Sequence, residues 1–276
     1  MSNFKRTRLL VLIGAIALTA VLYFAPQKVK NEAAESGTEK PEPYSFETLL
    51  TSVKGSLKRE ELEPVSKIEN ELSKNQNNLA LLDSLGKQWD RLQQPIISSH
   101  YFEMIALKQP GEKTWLNAAY RFFDAFKISG DSTLRAIMVS KAINSYNNVL
   151  TYNAENLDAK TDLGVCYVEG SQEPMKGIML LREVVTVNPA HENAQFNLGV
   201  LSVKSGQYDK AIDRFQKVLQ INPERKEMYF MIGKSYMMAG NKAKALENFE
   251  KLKKETTDLQ LIEQANSLIN QININH

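Results

Sequence analysis

The chain has 276 residues, 43% hydrophobic and 24% charged, enough apolar material for a sizeable core and unlike a disordered or collagen-like composition. A formal net charge of +2, with the acid-free cations Lys5, Arg6 and Arg8 at the extreme N-terminus, excludes the clustered positive excess of a nucleic-acid binder. A single cysteine, Cys166, excludes an intramolecular disulfide.

Residues 1–8 read as a basic tail, and the run LLVLIGAIALTAVLYFA at 9–25 that follows carries no charge. At about 1.5 Å per residue it is roughly 25 Å long, slightly short of a hydrocarbon core of about 30 Å, so Tyr23 and Phe24 would sit at one interface and the cations would snorkel at the other. The run therefore predicts a single transmembrane helix. A cleaved signal peptide is the competing reading and requires small residues at the last and third-last positions before the cut. Cutting after Ala20 places Leu18 third-last, and cutting after Ala25 places Tyr23 there, which favours an uncleaved anchor. Three cations before the span, against Lys28 and Lys30 diluted by Glu32 and Glu35 after it, put the N-terminus in the cytoplasm and the rest of the chain across the membrane. Residues 26–44, including KVKNEAAESGTEKPEP, have no apolar period and read as a flexible linker.

A helical signal starts at Ser45. Ser45 is placed to cap and Tyr44 to staple against Leu49, while Leu49, Leu50, Val53 and Leu57 form one apolar face. Leu62, Val65, Ile68 and Leu72 predict a second helix with Pro64 in its first turn, so that 45–76 form an N-terminal helical pair.

From residue 77 to 259 a pattern recurs at about 34 residues. Leu198, Gly199, Gly206, Ala211 and Phe215, with Pro223 after them, return as Ile232, Gly233, Gly240, Ala245 and Phe249. An earlier unit has Leu163, Gly164 and Tyr167, with Gly177, Leu181 and Pro189 one place late, which predicts a one-residue insertion around GSQEP. The first unit has Leu82, Leu85, Gly86, Trp89, Ser98, Phe102 and Pro110. Between them, 113–156 is ten residues longer than the standard unit, with Trp115, Ala118, Ala119 and Phe122 in its first half and Ala142, Tyr146 and Val149 in its second, and KISGDS marks the place where the hairpin lengthens. The units are thus 79–112, 113–156, 157–191, 192–225 and 226–259, and an amphipathic segment at 260–276 has the place of a capping helix.

This pattern resembles the tetratricopeptide repeat, a helical hairpin of about 34 residues. The resemblance implies an all-α, right-handed superhelical solenoid of antiparallel helix pairs. In each hairpin Gly199 and Ala211, or their equivalents, let two backbones meet while Leu198 and Phe215 fill the space beside them, so these residues are scaffold. Function is then expected on the groove lined by the first helix of each unit. The resemblance places Asp158 and Asp162 there in the third unit, Phe196, Asn197 and Val200 in the fourth, and Phe230, Met231 and Lys234 in the fifth. The partner implied is a protein or peptide segment, part apolar and part basic. Members that clamp a terminal carboxylate use paired basic residues where this chain has Glu227 and Met231, which argues against that specificity. The alternative for Phe230 and the methionines is burial by neighbouring helices.

Nothing in the sequence assembles an enzyme. His100, His191 and His276 lack metal-ligand spacing, GEKT at 111–114 lacks the first glycine of a phosphate loop, and Cys166 has no evident base. No cofactor, metal or nucleic acid is expected. One span, a tether and a helical-repeat domain together resemble small tetratricopeptide proteins of the Gram-negative envelope, including components of cytochrome c maturation and of chaperone or envelope-assembly systems. That layout implies a single-pass inner-membrane adaptor with its repeats on the periplasmic side. Its alternative is a self-associating scaffold, a homo-oligomer without a peptide groove.

Overall fold

A computed structural model describes residues 45–274. The expected basic tail, membrane span and linker at 1–44, with the Tyr44 staple, lie outside the described residues. Among the described residues there are thirteen α-helices and no strand, and no helix is long and apolar enough to cross a membrane.

The first two helices, α1 (Phe46–Ser56) and α2 (Arg59–Lys74), stand where the two apolar faces were expected, with two local differences. Ser45 occupies the N-cap position of α1, but its side chain makes no capping hydrogen bond. The second helix starts three residues earlier than its apolar face, because Glu61 reaches back to the Lys58 N–H at 2.8 Å and caps it there. Pro64 consequently sits in the second turn, where its missing N–H leaves the exposed Glu60 carbonyl to water.

Five hairpins follow: α3 (Leu79–Arg91) with α4 (Pro95–Lys108), α5 (Glu112–Ile128) with α6 (Ser132–Tyr152), α7 (Leu157–Gly170) with α8 (Pro174–Val187), α9 (Glu192–Lys204) with α10 (Tyr208–Ile221), and α11 (Glu227–Met238) with α12 (Lys242–Glu255). The helix α13 (Leu259–Ile274) closes the series. Short polar side chains start many of them. Asn78, Asp131, Asn156, Asn241 and Asp258 each accept a hydrogen bond from a backbone N–H two or three residues on, at 2.7–3.2 Å. The long 113–156 unit is explained by its helices, which run to 17 and 21 residues on either side of KISGDS. The extra residue near GSQEP falls at the end of α7. That helix continues six residues past Gly164, whereas α9 continues five past Gly199, and the connections after the two are equally long. Gly206 and Gly240, at φ +72° and +80°, make the tight turns of the last two hairpins in a backbone region that other residues avoid.

The hairpins close where a glycine meets an aromatic ring. A Cβ on Gly86, Gly199 or Gly233 would stand 2.7, 2.6 or 2.7 Å from the ring of Phe102, Phe215 or Phe249. The buried core is continuous from Leu50 on α1 to Tyr167 on α7. Beyond it, smaller clusters follow: Leu181, Val184, Ala194 and Leu198 between α8 and α9, then one centred on Phe215, and one on Phe249 that reaches Ala265 and Ile272 of α13. The last of these seats α13 on the final hairpin.

Candidate interaction groove

The third unit carries the acidic end of the predicted surface. The Asp158 side chain is 70% exposed and its Oδ1 lies 3.2 Å from His191 Nε2, while His191 Nδ1 accepts the Ala194 N–H at 3.4 Å as the N-cap of α9. Thr161 and Val165, at groove-facing positions of the repeat, are instead buried, and the Thr161 hydroxyl donates to Leu157 O within its own helix at 2.8 Å. Asp162 is half-buried and accepts the Tyr146 hydroxyl at 3.1 Å. Burial pushes its carboxyl up to about 6, with the negative charges of Asp158 and Asp124 adding to the shift and the Tyr146 hydrogen bond opposing it. Tyr120 on α5 joins this region: its ring lies 6.3 Å from that of Tyr146, and burial, then Asp162 and Asp158, raises its phenol.

A pH effect on stability follows from Asp162. Its folded value of about 6 lies above the ordinary 3.8, so the folded chain holds this proton more tightly than the unfolded chain does. The stability it contributes is full below about pH 4, is lost as pH rises through about 6, and changes little above that. Asp162→Asn keeps an acceptor for Tyr146 and removes the titration. The variant is expected to lack this part of the pH dependence and to exceed the wild type at pH 7 by on the order of 2 kcal/mol. Urea unfolding at pH 4 and pH 7 measures it, and parallel pH profiles for the two proteins would refute it.

The fourth and fifth units carry the apolar end. The Phe196 ring stands 6.1 Å from that of Phe215 and beneath the Arg225 guanidinium at 5.0 Å. Arg225 also binds Glu192 at 2.7 Å and pairs with Glu227. Asn197 Nδ2 donates to Asn193 O at 2.8 Å, so this amide donor serves its own helix. Phe196, Val200 and Met231 pack on the same cluster around Phe215, whereas the Phe230 ring stands 5.8 Å from that of Phe249 in the next cluster. All four, with Asn197, are half-buried, and Lys234 is exposed. The eight predicted residues thus fall into an acidic pair, Asp158 with Asp162, and a first-helix set divided between two clusters, with Phe196, Val200 and Met231 around Phe215, Phe230 at Phe249, and Asn197 and Lys234 on the same two helices. His191 ties the first to the start of α9.

Sequence reasoning missed three contributors. His191 has no metal-ligand spacing, yet it is the cap that meets Asp158. Arg225 stands in the connection between repeats, outside the first-helix positions that define the groove. Tyr120 lies in the lengthened unit. Other side chains that could have carried chemistry are occupied in the fold. His100 stacks on Phe46 with ring centroids 3.6 Å apart and is held down to about 4, chiefly by burial, and burial pushes the Cys166 thiol upward. No group of three or more His, Cys, Asp or Glu among the described residues is arranged to hold a metal ion.

Residues 202–269 match the tetratricopeptide repeat family. The structure is similar to a tetratricopeptide repeat protein from Parabacteroides merdae, with TM-score 0.59 and 19% identity over 83% of this chain and 87% of that one. It is also similar to MamA from Desulfovibrio magneticus, with TM-score 0.53 and 17% identity over 65% and 95%. A further MamA structure gives TM-score 0.51 and 20% identity over 64% and 91%. The fold is therefore a tetratricopeptide-like helical solenoid. No curated protein matches the chain.

Proposed function

We propose that the chain is a membrane-anchored adaptor whose first-helix groove holds an extended or helical segment of another protein. The observation that carries this reading is the half-buried row Phe196, Val200, Phe230 and Met231. Each of these side chains is seated on the core by one side and still open on the other, and the acidic Asp158 meets His191 at the start of the helix that carries Phe196 and Val200. Apolar anchors beside a charge of one sign fit a partner with an apolar half and a cationic half. The uncharged run at 9–25 supplies the anchor in this reading, the linker 26–44 holds the repeats off the bilayer, and the cation distribution places them on the periplasmic side of an inner membrane. Envelope assembly, chaperoning or cytochrome maturation is the setting that such a layout suits. The domain division is retained as read: tail, span, linker, helical pair, five repeats and cap.

Partner capture by the full chain in membrane extract tests the groove. Phe230→Ser, with its helical signal checked by circular dichroism, is expected to weaken capture some thirtyfold, as loss of one aromatic anchor worth about 2 kcal/mol would. Asp158→Lys, at an exposed position, is expected to slow association and to lose its effect in high salt. Unchanged capture by both folded variants would reject the groove.

A further inference from the structure

The first helices share a regularity that one of them breaks. Three residues past the small residue of each crossing, Gly86, Ala119, Gly164 and Gly233 are followed by Trp89, Phe122, Tyr167 and Tyr236. In α9 the residue three past Gly199 is Ser202, whose hydroxyl donates to Leu198 O of its own helix at 2.8 Å. A serine leaves unfilled most of the volume that an aromatic ring occupies. A cavity of about 780 Å³ lies beside it, with Leu198, Leu201 and Ser202 of α9 as its floor, between walls from α8 and α10. The equivalent cavity one repeat on, lined by Tyr229 and Tyr236, measures about 500 Å³.

The rim differs between the two as well. Arg182, Lys204, Lys210 and Arg214 line the larger cavity and no carboxylate does. Thirty-four residues on, Gln216 and Asn248 replace the two arginines and Glu247 lines the wall. None of the four cations has a carboxylate partner among the described residues. Arg214 donates to the neutral amide oxygen of Gln195 at 2.7 Å, and burial, with Arg182 nearby, makes its charge less favourable than usual. At about 100° per residue, this floor lies roughly 140° around α9 from Phe196, Asn197 and Val200, so it is a separate surface from the first-helix groove.

We propose that this second-helix groove takes a protein segment bearing an aromatic side chain flanked by carboxylates, the ring entering the space beside Ser202 and the carboxylates pairing with Arg182 and Arg214. The exposed Met175 at its edge supplies adaptable apolar contact for such a segment. A guanidinium held by a neutral partner regains a counter-charge when a carboxylate arrives, in bidentate geometry. The partner's charge is opposite to that expected at the acidic end of the first-helix groove, so the two surfaces hold different segments.

The test selects a random short-peptide library on the full chain, with counter-selection on Ser202→Tyr, which installs the residue type that the next unit carries. Peptides kept by the wild type and refused by the variant are expected to contain Phe, Tyr or Trp close to Asp or Glu. Their affinity is expected to fall by roughly tenfold or more in the double variant Arg182→Gln, Arg214→Asn, and to stay unchanged in Asp158→Lys, which alters only the other surface. If Ser202→Tyr does not fold, the double variant takes its place in the counter-selection. Three results would overturn the proposal: no peptide that discriminates, discriminating peptides without acids or without aromatics, or loss in the double variant confined to binding of phosphatidylglycerol vesicles.

Discussion

Replacing Phe215 by alanine is expected to cost about 3–5 kcal/mol, a large part of the roughly 5–15 kcal/mol that holds a domain folded. The ring is completely buried at the centre of the cluster that joins α9, α10 and α11, against Gly199 on one side and Phe196 on another. Nothing else in the hairpin can fill its volume, because Gly199, which the ring faces, has no side chain. Phe249 repeats the arrangement against Gly233 and Phe230, and the same loss is expected there. Urea unfolding followed by circular dichroism measures both. Changes under about 0.5 kcal/mol, as at an exposed site, would contradict the packing described.

Gly177→Ala is expected to destabilise by about 3 kcal/mol, against the sign that helix propensity alone predicts. Alanine is the better helix former by about 1 kcal/mol, so an open position would gain. At Gly177, however, the added Cβ would stand 2.3 Å from the Gly164 carbonyl oxygen, a backbone atom on the facing helix, and 2.7 Å from Val168 Cγ2. The helices α7 and α8 would have to separate. Gly164→Ala meets Leu181 Cγ at 3.0 Å and the Gly177 carbonyl oxygen at 3.1 Å and should cost less, because both contacts are longer than those at Gly177. Gly55→Ala in α1 meets nothing within 4 Å and should stabilise by about 0.5–1 kcal/mol. This ordering of three glycines, read from the same unfolding curves, distinguishes close helix approach from propensity. A gain in stability at Gly177 would refute the close crossing of α7 and α8.

The hairpins were legible in the sequence because their closest contacts are made by pairs of unlike size at fixed spacing. Gly199 with Phe215 and Gly233 with Phe249 leave a periodic record that a single helix would not produce. Helix ends were less legible. Ser45 has the right side chain at the right place and makes no cap bond, while Lys58 starts α2 through Glu61, three residues before the apolar face begins. The groove was legible only in part, because residues on a surface leave no packing period. Repeat positions lead to Phe196 and Phe230, which the fold leaves half-buried, but equivalent positions in the third unit lead to Thr161 and Val165, which the fold buries. The contacts of Asp158 with His191, and of Phe196 with Arg225, come from residues outside the first-helix frame. Ser202 could have been noticed as the one non-aromatic residue at its place, but the cations around it come together only when α8, α9 and α10 are stacked.

If a partner segment lies in the first-helix groove, site-specific photocrosslinking captures it there. A photoreactive amino acid placed at Asn197 or Met231 in the full chain, expressed in cells, is expected to join covalently to one and the same partner. The same probe at Glu250, on the exposed side of α12, is expected to leave that partner unlabelled. Equal labelling from all three positions, or labelling from Glu250 alone, would contradict the account.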